Sequence, residues 1–507
     1  MSISSAFQST ISASDGKSDG EYLVVKIQEP PSVKLSLGGG EAVRADIQCD
    51  RLAEVAGNTS TSNIELTPFD LACIGRSTPM VWFYEASLDA QALVAALRTT
   101  LASYPVLCGR YNKTPPTAVM LSNAGVPVQL CTSSTTFAEA TAYLPAPTTP
   151  SPTFFARSCH EAFVPDKAPM DPDAGSPEAP LFAVKITSFS GGGTAIGMLL
   201  QHGVADADAQ VSFVGNWSRV VRSLAMEPAP IHDRALVFQG AAPAASKAPA
   251  NAPSGELTTA EREPPAGCKM KLLPPGENFT PPFAAVMPKI GGPMVCAVPL
   301  VKSVLSGWKA AASEGLAAGS FVSTDDVACA RVWRALCAMR CTQLGIATDS
   351  EEVTTCNRAC NLRKRCEPPL DPGYCGNGVH SVWTQCTIKE LLGSSVSEIA
   401  QRLRVAVRAM TPDAIKQRAA WLQRAQRAGC KPVGLMDANA LTFIISSWGF
   451  DWEAADFGAM PTHYDHGALV PIVAVTAPRP RGDGLTVWAS GSQASMEQFA
   501  ELLLAPA

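Results

Sequence analysis

Long apolar runs are missing from this chain. No uninterrupted stretch reaches the roughly twenty residues that a membrane-spanning helix needs. The Ser-rich start, Met1 to Gly20, has neither the apolar core of a secretory signal nor the arginines of a transit peptide. A cytosolic protein with a disordered tail over residues 1–20 and no membrane span is the expectation. Charge is scarce as well, at 17% of residues with a net charge of -5, which excludes a general nucleic-acid binder or a partner of anionic membrane surfaces. Close C-x-x-C pairs are absent, although cysteine itself is not, with sixteen in the sequence. Most stand singly in apolar surroundings (Cys73, Cys108, Cys296, Cys329, Cys337). Cys356, Cys360 and Cys366 cluster near Cys375 without zinc-module spacing, so reduced core thiols and no metal are expected. Short internal repeats are lacking too.

What is present is enough apolar material for a large interior. At 507 residues and 46% hydrophobic, the chain exceeds one ordinary core, and two domains are the default. Tyr22 to Gln28 reads as a short strand, and Asp89 to Leu101 as an amphipathic helix that ends near Tyr104-Pro105. Val106 to Tyr111 reads as a further strand. Leu181 to Ile186 and Thr194 to Leu200 read as strands joined by Ser190-Gly191-Gly192-Gly193, followed by a helix from Asp208 to Ser223. Residues 227–267, rich in Ala, Pro and Ser, read as a long exposed connection. Beyond it come a strand at Val295 to Leu300 and helices at Val301 to Ala312 and from Thr324-Asp325-Asp326 to Cys341. Val396 to Arg427 reads as a long helix interrupted at Pro412, and Leu441 to Ile445 as a buried strand. Pro471 to Thr476 and Leu485 to Ala489 suggest a hairpin, and Met496 to Leu504 a final helix. Strands and helices alternate in both halves, giving an α/β architecture with domains over 21–226 and 268–507.

His202-Gly203-Val204-Ala205-Asp206 is the most informative stretch. It sets an imidazole at a strand-to-helix junction, where the side chain can enter a cleft while both elements fix its backbone. Imidazole titrates near neutrality, so it can take a proton from a hydroxyl or amine and later return it. Alone, His-x-x-x-Asp is a short pattern that recurs by chance.

Several further blocks stand in order around it. Asp451-Trp452-Glu453-Ala454-Ala455-Asp456-Phe457-Gly458 follows Ser446-Ser447-Trp448. Asn361-Leu362-Arg363-Lys364-Arg365, Pro368-Pro369 and Gly373-Tyr374-Cys375-Gly376-Asn377 lie between this block and the histidine. Leu66-Thr67-Pro68-Phe69-Asp70 and Tyr104-Pro105-Val106-Leu107-Cys108-Gly109-Arg110 lie near the start. Together, over roughly residues 22–504, they resemble the plant-type BAHD (HxxxD) acyltransferase family. The resemblance implies two similar-sized chloramphenicol-acetyltransferase-like domains joined by a long crossover loop. It also implies acyl-CoA as co-substrate, no permanently bound cofactor, a small-molecule acceptor and a monomer. The departures are Ala459 and Met460, where the family's DFGWG block has Trp and Gly, and Ala207 after Asp206 in place of Gly.

In the family's pattern His202 is the general base and Asp206 is structural, pairing with Arg363 or Arg365 through a forked contact. Asp456 and Gly458 brace a loop or form a plain surface turn. Ser446 and Ser447 donate to the pantetheine arm of CoA or simply close a buried strand. Lys302 and Lys309 reach nucleotide phosphates or lie on a solvated helix face. Family members that use shikimate or quinate carry an arginine just after the Ser-x-Trp tryptophan, where this chain has Gly449 and Phe450, so a neutral or apolar acceptor is expected. The rival readings are a catalytically impaired binding or scaffold protein, a condensation-type enzyme, disfavoured by Gln201 before the histidine, and a cysteine-rich metal protein.

Overall fold

The computed structural model describes residues 43–47, 63–112, 116–145, 151–165, 179–238, 257–277, 279–449, 451–466, 470–479 and 484–506. The strand read at Tyr22 to Gln28, the tail and Phe450 lie outside the described residues. In chain order, the strands of the two large sheets are β1 (Val43–Ile47), β2 (Ser77–Tyr84), β3 (Val126–Thr136), β4 (Thr153–Ala156), β5 (Phe182–Ser190), β6 (Thr194–Gln201), β7 (Met294–Val301), β8 (Val353–Asn361), β9 (Val379–Thr387), β10 (Thr442–Ser447), β11 (His463–Asp465), β12 (Val473–Pro478) and β13 (Gly484–Gly491). The first sheet runs β1-β3-β5-β6-β2-β11 and the second β9-β8-β10-β12-β13-β7-β4. The mixed α/β class read from the sequence is the one observed.

The sheets do not separate at one point of the chain. β4, early in sequence, pairs with β7 in the second sheet, and β11, late in sequence, pairs with β2 in the first. Each half therefore lends a strand to the other's sheet.

Local sequence explains the elements that surround the site. The short helix α1 (Pro68–Leu71) starts with Thr67 as N-cap, Pro68 in its first turn and Asp70 closing a capping box. Helices α2 (Ala90–Leu101) and α3 (Ala207–Val221) pack on one face of the first sheet. There Trp217 Nε1 donates to the Leu93 carbonyl at 2.9 Å, and the Phe182 and Phe213 rings meet at 5.1 Å. α3 is capped by Asp206, whose Oδ1 accepts from Ala209 N at 3.0 Å.

Two sequence readings are corrected, and the interruption read at Pro412 is observed. Val106 to Tyr111 is not one strand: residues 105–108 form a 3-10 turn, and only Arg110–Tyr111 is extended. Proline at position 105 starts that turn, and β-propensity further on does not override it. The long helix is two helices, Val396–Arg408 and Pro412–Arg427, because Thr411 caps a fresh start with Pro412 in its first turn. The helix α4 (Thr324–Leu344) is capped by Ser323, one residue before the stretch picked for that task, with Asp326 completing the box. Of the connection read over 227–267, residues 239–256 lie outside the described residues. Its flanks are structured: Ile231 bridges to Tyr374, residues 234–238 form a 3-10 turn, and Thr259–Arg262 is helical.

Candidate active site

His202 leaves the end of β6 and turns sharply into α3. Its backbone N–H donates to the Arg76 carbonyl at 2.8 Å, tying the turn to the chain between α1 and β2. Gly203 is required by this approach, since a Cβ there would lie 2.6 Å from the Tyr111 hydroxyl and 2.8 Å from Ile74 Cγ1. His202 as a whole residue is partly exposed.

The second sheet reaches the histidine through the loop between β8 and β9. Leu362 and Gly378 close that loop with a backbone bond of 2.7 Å, which brings Arg363, Asn377 and Gly378 beside the His202–Asp206 turn. Arg363 forks onto Asp206, with Nη1 to Oδ2 at 2.7 Å and Nη2 to Oδ1 at 2.8 Å, and Gly378 N–H adds a third donor at 2.8 Å. Of the two arginines offered by the sequence, Arg363 is the partner. Arg365 instead sits beside the Cys360 thiol. Asp206 is fully engaged in this fork and in capping α3, and it makes no contact with the imidazole.

The imidazole is held from elsewhere. His202 Nδ1 lies 3.1 Å from Asn377 Oδ1. The Asn377 amide nitrogen donates to Asp70 Oδ1 and to the His202 carbonyl, both at 2.8 Å, and its backbone N–H donates to the same Asp70 oxygen at 3.1 Å. A carboxylate and a carbonyl only accept, so they fix which end of the amide faces them. Oδ1 must then face the ring and Nδ1 must carry a proton, so that in the neutral ring Nε2 is the nitrogen with the lone pair. Asp70 is in turn held by Arg234, whose Nη1 donates to Oδ1 at 3.1 Å while Nη2 donates to the Val204 carbonyl at 2.7 Å. Asp70 and Arg234 are both buried, with side chains 0% and 4% exposed.

These supporting residues were only partly visible in sequence. Asp70 and Asn377 appear in the motif blocks without a role, and Arg234 falls in the stretch read as an exposed connection. The available signal was the Thr-Pro-Phe-Asp capping box at 67–70, which fixes where Asp70 stands.

The remaining candidates stand apart from the imidazole. Asp456 pairs with Arg222 at 2.7 Å and accepts the Gly458 N–H at 3.0 Å, with Gly458 in the left-handed region at φ 94°. Nearby, Tyr84 and Ser218 hydroxyls donate to the Ala455 and Ala454 carbonyls at 2.8 and 2.6 Å, so this loop is clamped onto β2 and α3. The Asp456–Arg222 pair is about one-third exposed on each side, and Asp456→Ala is expected to cost under about 1 kcal/mol in urea unfolding. Ser447 donates to Asp325 Oδ1 at 2.5 Å, so its proton is committed within the protein. Ser446 accepts from Trp448 Nε1 at 2.9 Å and keeps its own proton for a further acceptor. Lys302 and Lys309 are exposed on their helix. Among the described residues, thirteen of fifteen cysteines are buried and none of the fifteen is in a disulfide. No group of three or more His, Cys, Asp or Glu among them is arranged to hold a metal, and no helix is long and apolar enough to cross a membrane.

Comparison with known proteins places the chain in a family. The model of the family described as "Transferase family" matches residues 52–266 and 308–503. The chain is 23% identical to shikimate O-hydroxycinnamoyltransferase of Nicotiana tabacum over 91% of its own length and 99% of that protein. It is 24% identical to anthranilate N-benzoyltransferase protein 3 of Dianthus caryophyllus over 59% of its length, a match that spans 61% of that relative. Vinorine synthase shares the fold at a TM-score of 0.64 and 19% identity, covering 91% of this chain and 97% of the other. The family-model match spans most of the chain, and with the same motif order and the same two-sheet frame the conclusion follows that this protein belongs to the transferase family of BAHD-type, acyl-CoA-dependent acyltransferases.

Proposed function

We propose that the protein moves an acyl group from an acyl-CoA thioester to a hydroxyl or amine of a small neutral acceptor, with His202 Nε2 as general base. The observation that supports this most directly is the orientation of Asn377, which leaves Nε2 as the unprotonated nitrogen. Nε2 takes the acceptor proton as the oxygen or nitrogen attacks the thioester carbon. The tetrahedral intermediate collapses with cleavage of the carbon–sulfur bond, and the imidazolium returns the proton to the departing CoA thiolate. Asp206 and Arg363 hold the turn that carries the ring. Asn377, Asp70 and Arg234 hold its tautomer. Asn377→Ala is expected to lower kcat on the order of tenfold or more with little change in donor KM, checked by release of free CoA.

Two opposing effects set the titration of the base. Burial disfavours the imidazolium, but the Cys73 thiol beside it, through charge and a hydrogen bond, outweighs burial and pushes His202 up to about 9. A base must be neutral to act, so kcat/KM is expected to rise with pH until a limb near 9. In Cys73→Ser the thiol's contribution is lost while burial stays, so that limb moves down toward the ordinary imidazole value of about 6.5. A pH–rate profile of both proteins checks this, and an unmoved limb would remove Cys73 from the account.

A neutral acceptor is supported by Gly449 after Trp448, where shikimate-using relatives of the motif carry an arginine. Purified protein is expected to leave shikimate unacylated with either benzoyl-CoA or a hydroxycinnamoyl-CoA, and robust acylation of shikimate refutes that expectation. The proposal includes acyl-CoA as a transient co-substrate with no permanent cofactor. It also includes a cytosolic monomer with halves over 21–226 and 268–507 joined by 227–267. Gel filtration, a tagged-protein localisation and limited proteolysis test these parts.

A further inference from the structure

Of the cysteines among the described residues, only Cys73 and Cys131 are half-buried rather than buried, and Cys73 stands at the active site. It lies in the short turn after α1, where its N–H donates to the Asp70 carbonyl at 2.9 Å. The same turn runs along the histidine. Ile74 Cγ1 lies 2.8 Å from where a Cβ on Gly203 would stand, and the Arg76 carbonyl accepts the His202 N–H at 2.8 Å. The Cys73 thiol is a hydrogen-bond partner of the His202 imidazole. On its other side the imidazole is held by Asn377, with Nδ1 3.1 Å from Oδ1. Cys73, His202 and Asn377 thus supply a nucleophile, a base and the group that orients the base. That combination activates cysteine for covalent chemistry, and Cys-His-Asn is one of its recurring forms.

The surroundings favour a reactive thiol. The thiolate is the nucleophilic form, and reactive cysteines occupy partly exposed sites near cations. Arg76, exposed three residues after Cys73, lies within charge range of the same imidazole. Asp70, three residues before Cys73, is already engaged by Arg234 and Asn377. Tyr111 adds a second, separate observation. Its side chain is buried, 1% exposed, and its hydroxyl has no hydrogen-bond partner. Burial first, and then the nearby Asp70 charge, hold this phenol above its ordinary value, and Cys73 acts in the same direction. The hydroxyl therefore keeps its proton and is free to donate beside the sulfur. A buried donor left unpaired costs about 1–3 kcal/mol, and a sulfur that gains negative charge would satisfy it.

We propose that Cys73 is a second acyl acceptor of this site: with no alcohol or amine on the base, its sulfur takes the acyl group from acyl-CoA. His202 Nε2 removes the thiol proton as a bond forms between Cys73 Sγ and the thioester carbon. The carbon–sulfur bond to CoA then breaks, and the imidazolium returns the proton to the CoA thiolate. One thioester replaces another without oxidant or reductant, so the exchange is reversible and excess CoA discharges the adduct. A bound acceptor competes for the same lone pair on Nε2 and lowers the amount of adduct. The inference rests on the acyl-transfer reading above for its donor, whereas the pairing of thiol and imidazole stands apart from it.

The full chain is incubated with benzoyl-CoA or a hydroxycinnamoyl-CoA without acceptor, quenched in acid, and read by intact-protein mass spectrometry and peptide mapping. The expected result is an acyl group on Cys73 that neutral hydroxylamine or excess CoA removes. In Cys73→Ser the hydroxylamine-labile adduct at this position is expected to vanish. In His202→Ala its rate of formation is expected to fall by about 10²-fold or more. A second measurement needs no donor: iodoacetamide is expected to alkylate Cys73 about tenfold faster than Cys131, and to lose that preference in His202→Ala. Acyl transfer to an added alcohol or amine with no adduct on Cys73 overturns the proposal and leaves the acyl-transfer reading in place. An adduct without transfer to any acceptor upholds the proposal and counts against that reading. Absence of both overturns the two together. Equal alkylation of Cys73 and Cys131, or a preference that survives in His202→Ala, also overturns the proposal, because the imidazole then does not activate the thiol.

Discussion

His202→Ala is expected to lower acyl transfer by about 10²–10⁴-fold, the usual worth of a positioned general base. The loss should fall on kcat, with donor KM nearly unchanged, because the imidazole acts on the proton in flight and not on the CoA moiety. Structure should be little affected. The backbone bond from His202 N–H to Arg76 and the fork on Asp206 do not use the ring, although Asn377 Oδ1 loses its partner. Release of free CoA, followed colorimetrically with a panel of alcohols and amines, checks the rate, and circular dichroism checks the fold. The measurement also decides against the scaffold alternative, which draws on Ala459 and Met460 in the second motif block. A scaffold would show the same background rate with and without the imidazole. The loop carrying that block still clamps onto β2 and α3 through Ala454 and Ala455, so the two changes leave its docking intact.

Asp70→Asn is the second large effect, and it separates stability from chemistry. Asp70 and Arg234 are a buried pair, and removing one charge leaves the other without compensation at a cost of about 3–5 kcal/mol. The same substitution replaces the carboxylate that orients Asn377 with an amide, whose nitrogen can face the Asn377 nitrogen. Asn377 then loses its reason to present Oδ1 to the ring, and the His202 tautomer is no longer fixed. Activity should therefore fall by at least about tenfold beyond any loss of folded protein. Pairing Asp70→Asn with Arg234→Met removes the orphaned cation, so part of the stability should return while the activity should not. Urea unfolding and CoA release on the two single variants and the double variant provide the cycle. Recovery of activity together with stability would show that Asp70 serves the fold alone.

Much of the site was legible in the sequence because its chemistry is local. A histidine at the end of an apolar strand and an aspartate four residues on were readable as residue type plus spacing, and the arginine pair of the Asn-x-Arg-x-Arg run as what the family resemblance implies. What was not legible depends on segments far apart in sequence. Arg234 sits in a stretch whose Ala, Pro and Ser content reads as solvent-exposed, yet tertiary contact with Asp70 buries it. Asn377 orients the ring from 175 positions away.

Alternating hydrophobic patterns, capping residues and prolines were sufficient for the class of fold and for most element boundaries, since these depend on neighbours within a few residues. The identity of the proposed base followed from the same short-range information plus motif order. Which arginine grips Asp206 and which nitrogen of His202 carries its proton were decided only by tertiary structure. Hydrogen bonds and ion pairs across hundreds of positions have no local signature, because their energies depend on approach distance and burial that the packed sheets alone provide.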